Sequence, residues 1–234
     1  MMPAIPRGRK VQPREAIPPL ENSDRLTQPE FHRRYEAMPE GVKTELIGGV
    51  VHIPSSVKRP HCRPQFILIN WLGMYENETP GVEGLDNTTF ILSGSSEPQP
   101  DGALIITDGN TYVNEEDFLV GSPELLAEIS SSSESIDLHA ERDNYERAGV
   151  KEYIVVAVRM KRVYWWIRKG KKFVDLAAGA DGIYRSETFP GLWLDPAAFV
   201  KLDSRRVMAV LRKGLASPEH AVFVQKLSQG KARS

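Results

Sequence analysis

An acidic residue interrupts the apolar run 125–129, whose sequence is Leu-Leu-Ala-Glu-Ile. Such a run has little polarity on either face, which is typical of a central strand that helices cover on both sides of a sheet. A second apolar run, 153–158, is rich in β-branched residues and also predicts a strand. A helical segment lies between the two runs, so the order strand, helix, strand predicts an α/β fold.

Two carboxylates occupy similar settings although they are far apart in the sequence. Glu128 lies within the first apolar run, and Asp101 follows a proline and precedes the apolar run 103–106. An ionised carboxylate in a buried strand costs several kcal/mol unless it is paired, and two of them on neighbouring strands repel each other. A divalent cation relieves that repulsion. Two carboxylates about a strand apart are the minimal hard-oxygen site for Mg²⁺, the metal of phosphodiester hydrolysis.

Each acid also has an ordinary structural interpretation. Aspartate after proline and before glycine is frequent in turns, so Asp101 alone can be a turn residue. Glu128 can form a structural salt bridge with an arginine of the following helix, Arg142 or Arg147. The metal-site interpretation therefore depends on whether the two acids meet in the folded chain.

Composition limits the class of protein. Of the 234 residues, 41% are hydrophobic and 26% are charged, which is ordinary for a soluble globular domain. No apolar stretch reaches about 18 residues and the N-terminus lacks the apolar core of a signal peptide, so we expect neither a membrane span nor secretion. A single cysteine excludes an internal disulfide and favours a reducing cytoplasm. The formal net charge of -1 neither demands nor excludes a nucleic-acid partner.

Three regions are expected along the chain. Residues 1–20 are rich in proline and arginine and predict a disordered basic arm, which can be a solvated tail or can touch phosphates. Residues 21–203 are expected to form the α/β domain. Residues 204–234 are expected to form a C-terminal helical extension with a frayed tail.

Local signals predict several elements of the domain. Thr27 and Glu30 form a capping-box pattern at the start of a helix. A glycine pair within 45–53 predicts a hairpin, and the apolar spacing of 64–75 predicts a buried helix. Residues 82–92 predict a strand.

The helix after the first apolar strand brings further candidates. It is expected to run to Ala148, with Gly149 at the position of a left-handed C-cap. Glu141 and Tyr145 share one face of this helix with Ala148. Glu141 can point back toward a metal, or it can lie in solvent as helix glutamates commonly do. Tyr145 can donate a hydrogen bond at the same place, or it can pack in the core.

The segment 159–172 combines basic residues with Tyr164, Trp165 and Trp166, and it contains no acidic residue. Basic side chains neutralise phosphates, and aromatic rings stack on unpaired bases. The same pattern fits an ordinary hairpin whose aromatic residues are half buried and whose lysines protect the sheet edge. Both interpretations stay open at this point.

The histidines show no metal-ligand spacing. His61 lies beside Pro60 and Cys62 near the start of a predicted helix, and a His/Cys metal site needs more partners than these. The sequence therefore assigns no role to His61.

Several segments match a known family pattern in their order and spacing. They are 45–49, Pro100 with Asp101, 124–130, 137–139, 145–153 and 189–194. Together they resemble the Uma-type family of restriction endonucleases, within the PD-(D/E)XK nuclease superfamily. The resemblance covers roughly residues 27–200, and no single segment is diagnostic.

The resemblance implies a restriction-endonuclease-like fold with a mixed central sheet flanked by helices. It implies that Asp101 and Glu128 bind a metal, Mg²⁺ or Mn²⁺, with the main-chain carbonyl of Ile129 as a candidate backbone ligand. Glu45 matches the early acidic residue of the family pattern and is a further candidate ligand, although it can also be an exposed strand end. The implied activity is hydrolysis of DNA by an endonuclease. Cutting both strands would ordinarily need two sites, hence a homodimer.

The chain departs from the family pattern at the lysine. The superfamily often has a lysine two residues beyond the second acid, where this chain has Ser130, and the Uma-type pattern has one on the following helix, where this chain has Glu141. A lysine near the attacking water stabilises developing negative charge, and a glutamate does not.

Three explanations of the missing lysine stay open. Glu141 binds a second metal, a cation such as Arg142 has replaced the lysine, or the site has lost its catalytic activity. In the third case the chain is a catalytically impaired nuclease-fold protein that acts as a nucleic-acid-binding or assembly module. Hydrolysis of a different phosphodiester also fits the residues.

Overall fold

The structure is a computed structural model that describes residues 17–39, 41–54, 58–131 and 136–231. Residues 1–16 of the expected basic arm lie outside the described residues, so the arm stays a prediction. In chain order the elements are α1 Gln28–Tyr35, β1 Glu45–Ile47, β2 Val50–His52, α2 Arg59–Asn77, β3 Val82–Leu85, β4 Phe90–Ile91, β5 Gly102–Ile106, β6 Thr111–Val113, β7 Leu119–Gly121, β8 Leu125–Ser130, an irregular wide helical segment Ile136–Glu141, α3 Arg142–Ala148, β9 Glu152–Ala157, β10 Arg162–Lys169, β11 Lys172–Asp175, β12 Tyr184–Arg185, β13 Trp193–Leu194, α4 Pro196–Val200, α5 Ser204–Leu215 and α6 Pro218–Lys231.

The central sheet has six strands in the order β11-β10-β9-β8-β5-β3. Strands β8 and β9 are parallel, and the other neighbouring pairs are antiparallel. The expected mixed sheet is therefore confirmed. Every residue of β8 and β9 is buried, which explains why both strands are apolar on both faces.

Side chains of β8 alternate between two hydrophobic clusters. Leu125, Ala127 and Ile129 belong to the cluster that includes residues of α2, α4 and α5. Leu126 belongs to the opposite cluster, to which α3 contributes. This alternation places Glu128 on the same face as Leu126.

Helix α1 begins where the sequence predicts, but its capping differs. The side chain of Thr27 makes no capping hydrogen bond. The carboxylate of Glu30 instead accepts hydrogen bonds from Arg33 and Arg34. The capping-box prediction is therefore wrong, because two nearby guanidinium groups bind Glu30 more strongly than one main-chain N–H does.

The β1–β2 hairpin turns at the predicted glycine pair. Gly48 and Gly49 have φ angles of 57° and 82°, and positive φ at both central residues is the geometry that a tight hairpin turn needs. Leu46 and Val51 pack against Phe31 of α1. The hairpin and α1 thus share one small hydrophobic cluster.

The predicted strand 82–92 is two strands. β3 belongs to the central sheet, whereas β4 pairs with β7 in a small separate sheet. Asn87 lies between them with a φ of 50°. This left-handed backbone conformation interrupts an extended strand and is one that asparagine adopts at low cost.

The C-terminal helices pack on the same core as the sheet. Helix α5 begins after Asp203, whose Oδ1 accepts a hydrogen bond from the main-chain N of Arg206 at 3.0 Å. Val207 and Leu211 of α5 are fully buried in the cluster that contains α2. The expected C-terminal helices are confirmed, and the domain boundary at residue 203 stays a prediction. No helix among the described ranges is both long and apolar enough to cross a membrane.

The basic segment 159–172 forms the turn before β10, strand β10 itself, the turn after it and the first residue of β11. Trp165 and Trp166 are only 2% and 6% exposed, so neither ring is available to stack on a base. The guanidinium of Arg162 lies 4.6 Å from the centroid of the Tyr164 ring. These positions favour the ordinary hairpin over a base-stacking surface.

Candidate metal centre

Asp101 and Glu128 meet because of the strand register. Strand β5 pairs antiparallel with β8, and Gly102 is opposite Ala127. One further step in this register places Asp101 opposite Glu128. Opposed residues of an antiparallel pair share a face, with Cβ atoms about 4.5–5.5 Å apart. The main-chain N of Asp101 lies 3.4 Å from Oε2 of Glu128, so the two predicted acids come together.

The two oxygens of Asp101 have different partners. Oδ2 accepts a hydrogen bond from the main-chain N of Ile129 at 2.7 Å. Oδ1 lies 3.2 Å from Nε2 of His61, at the N-terminal end of α2. The first contact holds the carboxylate across the two strands, and Asp101 is only 4% exposed. The residue is therefore more than a turn residue.

Glu128 is held between a strand and a helix. Oε2 faces the main-chain N of Asp101, and Oε1 lies 3.4 Å from the hydroxyl of Tyr145 in α3. Tyr145 is fully buried, so it packs in the core and also contacts the site. Glu128 itself is 9% exposed, which places this carboxylate in an environment where an unpaired charge is costly.

Glu45 joins the site because the hairpin pairs with the segment before β5. The main chains of Leu46 and Glu97 exchange two hydrogen bonds, of 3.1 and 2.8 Å. Oε1 of Glu45 then accepts a hydrogen bond from the main-chain N of Gln99 at 2.8 Å. The half-buried Glu45 carboxylate is thus held at Gln99, which lies two residues before Asp101 in the chain.

Glu141 is buried, and its interpretation as a solvated helix residue is wrong. The residue is 4% exposed, and its Oε2 accepts a hydrogen bond from the hydroxyl of Tyr153 at 3.2 Å. Tyr153 belongs to β9 at the centre of the sheet, so this contact places Glu141 over the sheet. Together with Asp101, Glu128 and Glu45, it makes up the four site carboxylates.

Lys43 is a site residue that sequence reasoning missed. Its Nζ donates a hydrogen bond to the main-chain O of Gln99 at 2.9 Å and lies 3.3 Å from Oδ1 of Asn87. Burial by itself lowers the pKa of Lys43, but the negative charges of the four site carboxylates outweigh burial and raise it. The sequence did contain a signal for Lys43. Lys43 lies two residues before Glu45, and side chains two residues apart in an extended chain point to the same face.

His61 is the second residue that sequence reasoning missed. Its hydrogen bond with Asp101 raises the pKa of His61, burial opposes this, and a hydrogen bond with the main chain of Ile129 adds to the rise. His61, Leu68 and Leu72 recur at i, i+7 and i+11, so helical periodicity assigns them to one face of α2. The two leucines are buried, and this shared face was the available signal.

Glycine at position 102 allows the approach of α2 to β5. A Cβ at Gly102 would lie 3.0 Å from Cδ1 of Leu72 and 3.2 Å from Cδ1 of Ile69. These separations are tighter than ordinary contacts, so a larger residue would force the ends of the Leu72 and Ile69 side chains to shift by a few tenths of an ångström.

The donor set fits a hard divalent cation. Two buried carboxylates share a face, and the carbonyl of Ile129 lies next to one of them in the sequence. Carboxylate and carbonyl oxygens are the donors that Mg²⁺ and Mn²⁺ accept. The charges of the four site carboxylates all act on Lys43, and Asp101 also contacts His61. A divalent cation would reduce the mutual repulsion of these carboxylates. Asp101, Glu128 and Ile129 are the residues that could hold it.

Arg142 lies in a different environment from Lys43. Its guanidinium is 5.2 Å from the centroid of the Trp166 ring and 3.6 Å from Oδ1 of Asp143. These contacts indicate a packing role for Arg142 at the surface of α3. Lys43 is the cation whose pKa responds to the four site carboxylates.

A second group of acids and histidine lies beside α1. Ligand atoms of His32, Glu36 and Glu116 are all within 4.8 Å of one another. Nδ1 of His32 is 2.7 Å from Oε1 of the buried Glu97. Glu36 and Glu116 are exposed, and exposed acids commonly gather without an ion. We assign this group a structural role that links α1 to the segment before β5.

Comparison with known proteins identifies the family of the chain. The profile of the Uma2 family, described as "Putative restriction endonuclease", matches residues 28–197. No curated protein matches the chain. Among solved structures, a "putative nuclease belonging to DUF820" from Anabaena variabilis ATCC 29413 is similar, with 12% sequence identity and a TM-score of 0.52 over 72% of this chain and 97% of that chain.

The two comparisons carry different weight. At 12% identity the structural likeness shows a shared fold, and it agrees with the mixed sheet flanked by helices. The family profile covers most of the chain, including both site acids on β8 and before β5. The chain therefore belongs to the Uma2 family, the family described as putative restriction endonucleases.

Proposed function

We propose that this chain is a metal-dependent endonuclease that hydrolyses phosphodiester bonds of DNA. The observation that carries the proposal is the contact between Asp101 and Glu128 at the end of the β5–β8 pair, which brings two buried carboxylates together. Membership of the Uma2 family supports the reaction class.

Asp101, Glu128 and the carbonyl of Ile129 are the proposed ligands of Mg²⁺ or Mn²⁺, and Glu45 and Glu141 are the proposed further acids of the site. When bound, such a cation lowers the pKa of an attacking water and offsets negative charge on the scissile phosphate. The hydrogen bond from the Ile129 N–H to Oδ2 holds Asp101 in place, so the protein supplies a site organised in advance.

Lys43 is the proposed substitute for the lysine that is absent at Ser130 and Glu141. The raised pKa keeps its amine protonated, and an ammonium can donate hydrogen bonds to a phosphate oxygen as negative charge develops there. The lysine stands next to β1, whereas the family pattern has it on the helix. The departure from the pattern is then a change of position and not the loss of a cation.

A second candidate function is that of a nuclease-fold protein without turnover, which binds nucleic acid or takes part in an assembly. One observation favours it. Glu141 is buried at the position of the family lysine, so it adds a negative charge where the pattern has a positive one.

The test compares purified wild type with Asp101→Asn in a supercoiled plasmid nicking assay, with Mg²⁺, with Mn²⁺ and with EDTA. The amide keeps the shape of the side chain, so we expect the fold to persist and metal-dependent cleavage to fall to background. Asp108→Asn is the matched control, because Asp108 is exposed beyond the other end of β5. We expect that variant to cleave like wild type.

Three results would decide against the proposal. Equal nicking by wild type and Asp101→Asn would show that these acids do not carry the activity. Metal binding by calorimetry without nicking would favour the second candidate. Binding of neither metal nor DNA would exclude both candidates.

A further inference from the structure

We propose that His61 completes the ligand set of the metal, and that the resulting mixed nitrogen and oxygen set selects a first-row transition dication such as Mn²⁺ over Mg²⁺. This inference rests on the proposed function, because it concerns the cation at Asp101 and Glu128. It assigns a role to a residue that no sequence motif identified.

The position of the imidazole carries the proposal. Nε2 of His61 lies 3.2 Å from Oδ1 of Asp101. Adjacent donors on an octahedral cation with bonds of about 2.1 Å are about 3 Å apart. The two atoms are therefore spaced as neighbouring ligands of one ion are. Oδ2 is taken by the Ile129 N–H, which leaves Oδ1 as the oxygen turned toward the histidine.

The ring also stands beside a second proposed donor. The main chain of Ile129 hydrogen-bonds to His61, so the imidazole contacts two of the three groups proposed to hold the cation. An ordinary aspartate–histidine pair on a surface would not also meet a backbone carbonyl at the end of a buried strand.

The fold holds His61 at this position. The side chain is 20% exposed and the side chain of Asp101 is 6% exposed, so both lie largely out of water. The close approach of α2 to Gly102 fixes the helix against β5. A ligand on a packed helix is placed more accurately than one on a loop.

The chemistry of the donors gives the selectivity. Mg²⁺ takes oxygen donors, keeps several of its waters and demands near-ideal geometry. Imidazole nitrogen raises affinity for first-row transition dications. Two carboxylates and a carbonyl serve either class of ion, so His61 is the residue that separates them.

The experiment uses the full chain and Mn²⁺ or Mg²⁺ alone, without DNA. Calorimetry measures both affinities for wild type, His61→Ala, Asp101→Asn and the exposed-histidine control His139→Ala. We expect His61→Ala to weaken Mn²⁺ binding by on the order of 10- to 100-fold and Mg²⁺ binding by less than about threefold. His139→Ala should match wild type, and Asp101→Asn should lose both ions.

A spectroscopic measurement on wild type keeps the test independent of any variant that folds poorly. Electron spin echo envelope modulation of bound Mn²⁺ detects a nitrogen nucleus coordinated to the ion. We expect ¹⁴N modulation in wild type and in His139→Ala, and none for the Mn²⁺ that His61→Ala still binds at higher concentration.

The outcomes separate this inference from the proposed function. Mn²⁺ that binds through Asp101 but shows no nitrogen coupling and no loss in His61→Ala would overturn the role of His61 and leave the nuclease proposal standing. A preference for Mg²⁺ over Mn²⁺ in wild type would overturn the selectivity. Absence of any metal binding in wild type would overturn both proposals.

Discussion

At the scale of single residues, the acids of the proposed site were predicted from the sequence and the basic residues were missed. Glu128 stands out because it interrupts an apolar run, and a buried charge needs an explanation. Lys43 and His61 lie in polar segments where charged residues are ordinary. Their positions in the site depend on long-range contacts. Lys43 contacts Gln99, 56 positions away in the sequence, and His61 of α2 contacts Asp101, which precedes β5.

Replacing Lys43 tests whether this residue, next to β1, performs the role of the lysine that the family pattern has on the helix. We expect Lys43→Met to lower kcat by on the order of 10²- to 10³-fold, because one preorganised donor to developing charge is lost. The same variant should bind Mn²⁺ more tightly, since a positive charge among the four site carboxylates is removed. Nicking rates and calorimetry measure the two effects.

Two further variants control the Lys43 experiment. Lys43→Arg keeps the charge and should retain part of the rate, and Lys201→Met removes an exposed lysine of the α4 C-terminus and should leave both readouts unchanged. Unaltered nicking in Lys43→Met would contradict the assignment of the cation.

His32 predicts a pH-dependent contribution to stability. Burial lowers the pKa of His32, but the hydrogen bond and charge of Glu97 outweigh burial and raise it above the ordinary value of about 6.5. Protonation is therefore favoured in the folded state. The stabilisation is fully present below about pH 6.5 and is lost as pH rises through the folded-state pKa.

We expect His32→Gln to lower the free energy of unfolding by about 1.5–3 kcal/mol at pH 6, where a charge-assisted hydrogen bond is lost. The loss should be clearly smaller at pH 8.5. Chemical denaturation of wild type and variant at both pH values measures it, with the exposed His139→Gln as control. An equal loss at both pH values would show that the charge of His32 does not matter.

At the scale of elements, hydrophobic periodicity predicted the type of most elements but not their ends. The buried helix predicted over 64–75 extends to Arg59–Asn77, because the first turns of α2 are exposed and carry no apolar pattern. That unpredicted extension is the part that bears His61. The split of the strand 82–92 at Asn87 depends on a single left-handed residue, which no periodicity shows.

The C-cap of α3 gives a prediction at this scale. Gly149 has a φ of 94°, and a Cβ there would meet Ser122 Oγ at an ordinary 3.4 Å. The cost of Gly149→Ala is therefore mainly backbone strain, and we expect a loss of about 1–2 kcal/mol in the free energy of unfolding.

Gly73 is the matched control for that substitution. It lies inside α2, where a Cβ would meet nothing within 4 Å. Alanine has the higher helix propensity, so we expect Gly73→Ala to stabilise the protein by about 0.8–1 kcal/mol. Denaturant melts of both variants measure the difference, and the same sign of change in both would contradict the argument.

At the scale of the whole molecule, the α/β class and the mixed sheet could be predicted, and the arrangement of the site depended on topology. Two runs without polar alternation indicate covered central strands. The antiparallel register that sets Asp101 opposite Glu128 is a long-range property. The pairing joins β5 to β8, and strands β6 and β7 lie between them in the sequence. A cytoplasmic location, a homodimer and the choice of DNA as substrate stay predictions.

The most direct test of the central claim is a crystal of the full chain soaked in Mn²⁺ and measured at the Mn absorption edge. We predict one strong anomalous peak within about 2.5 Å of an oxygen of Asp101 and an oxygen of Glu128. A well-occupied peak only at the exposed group of His32, Glu36 and Glu116, or no peak between the two strands at saturating Mn²⁺, would contradict the claim.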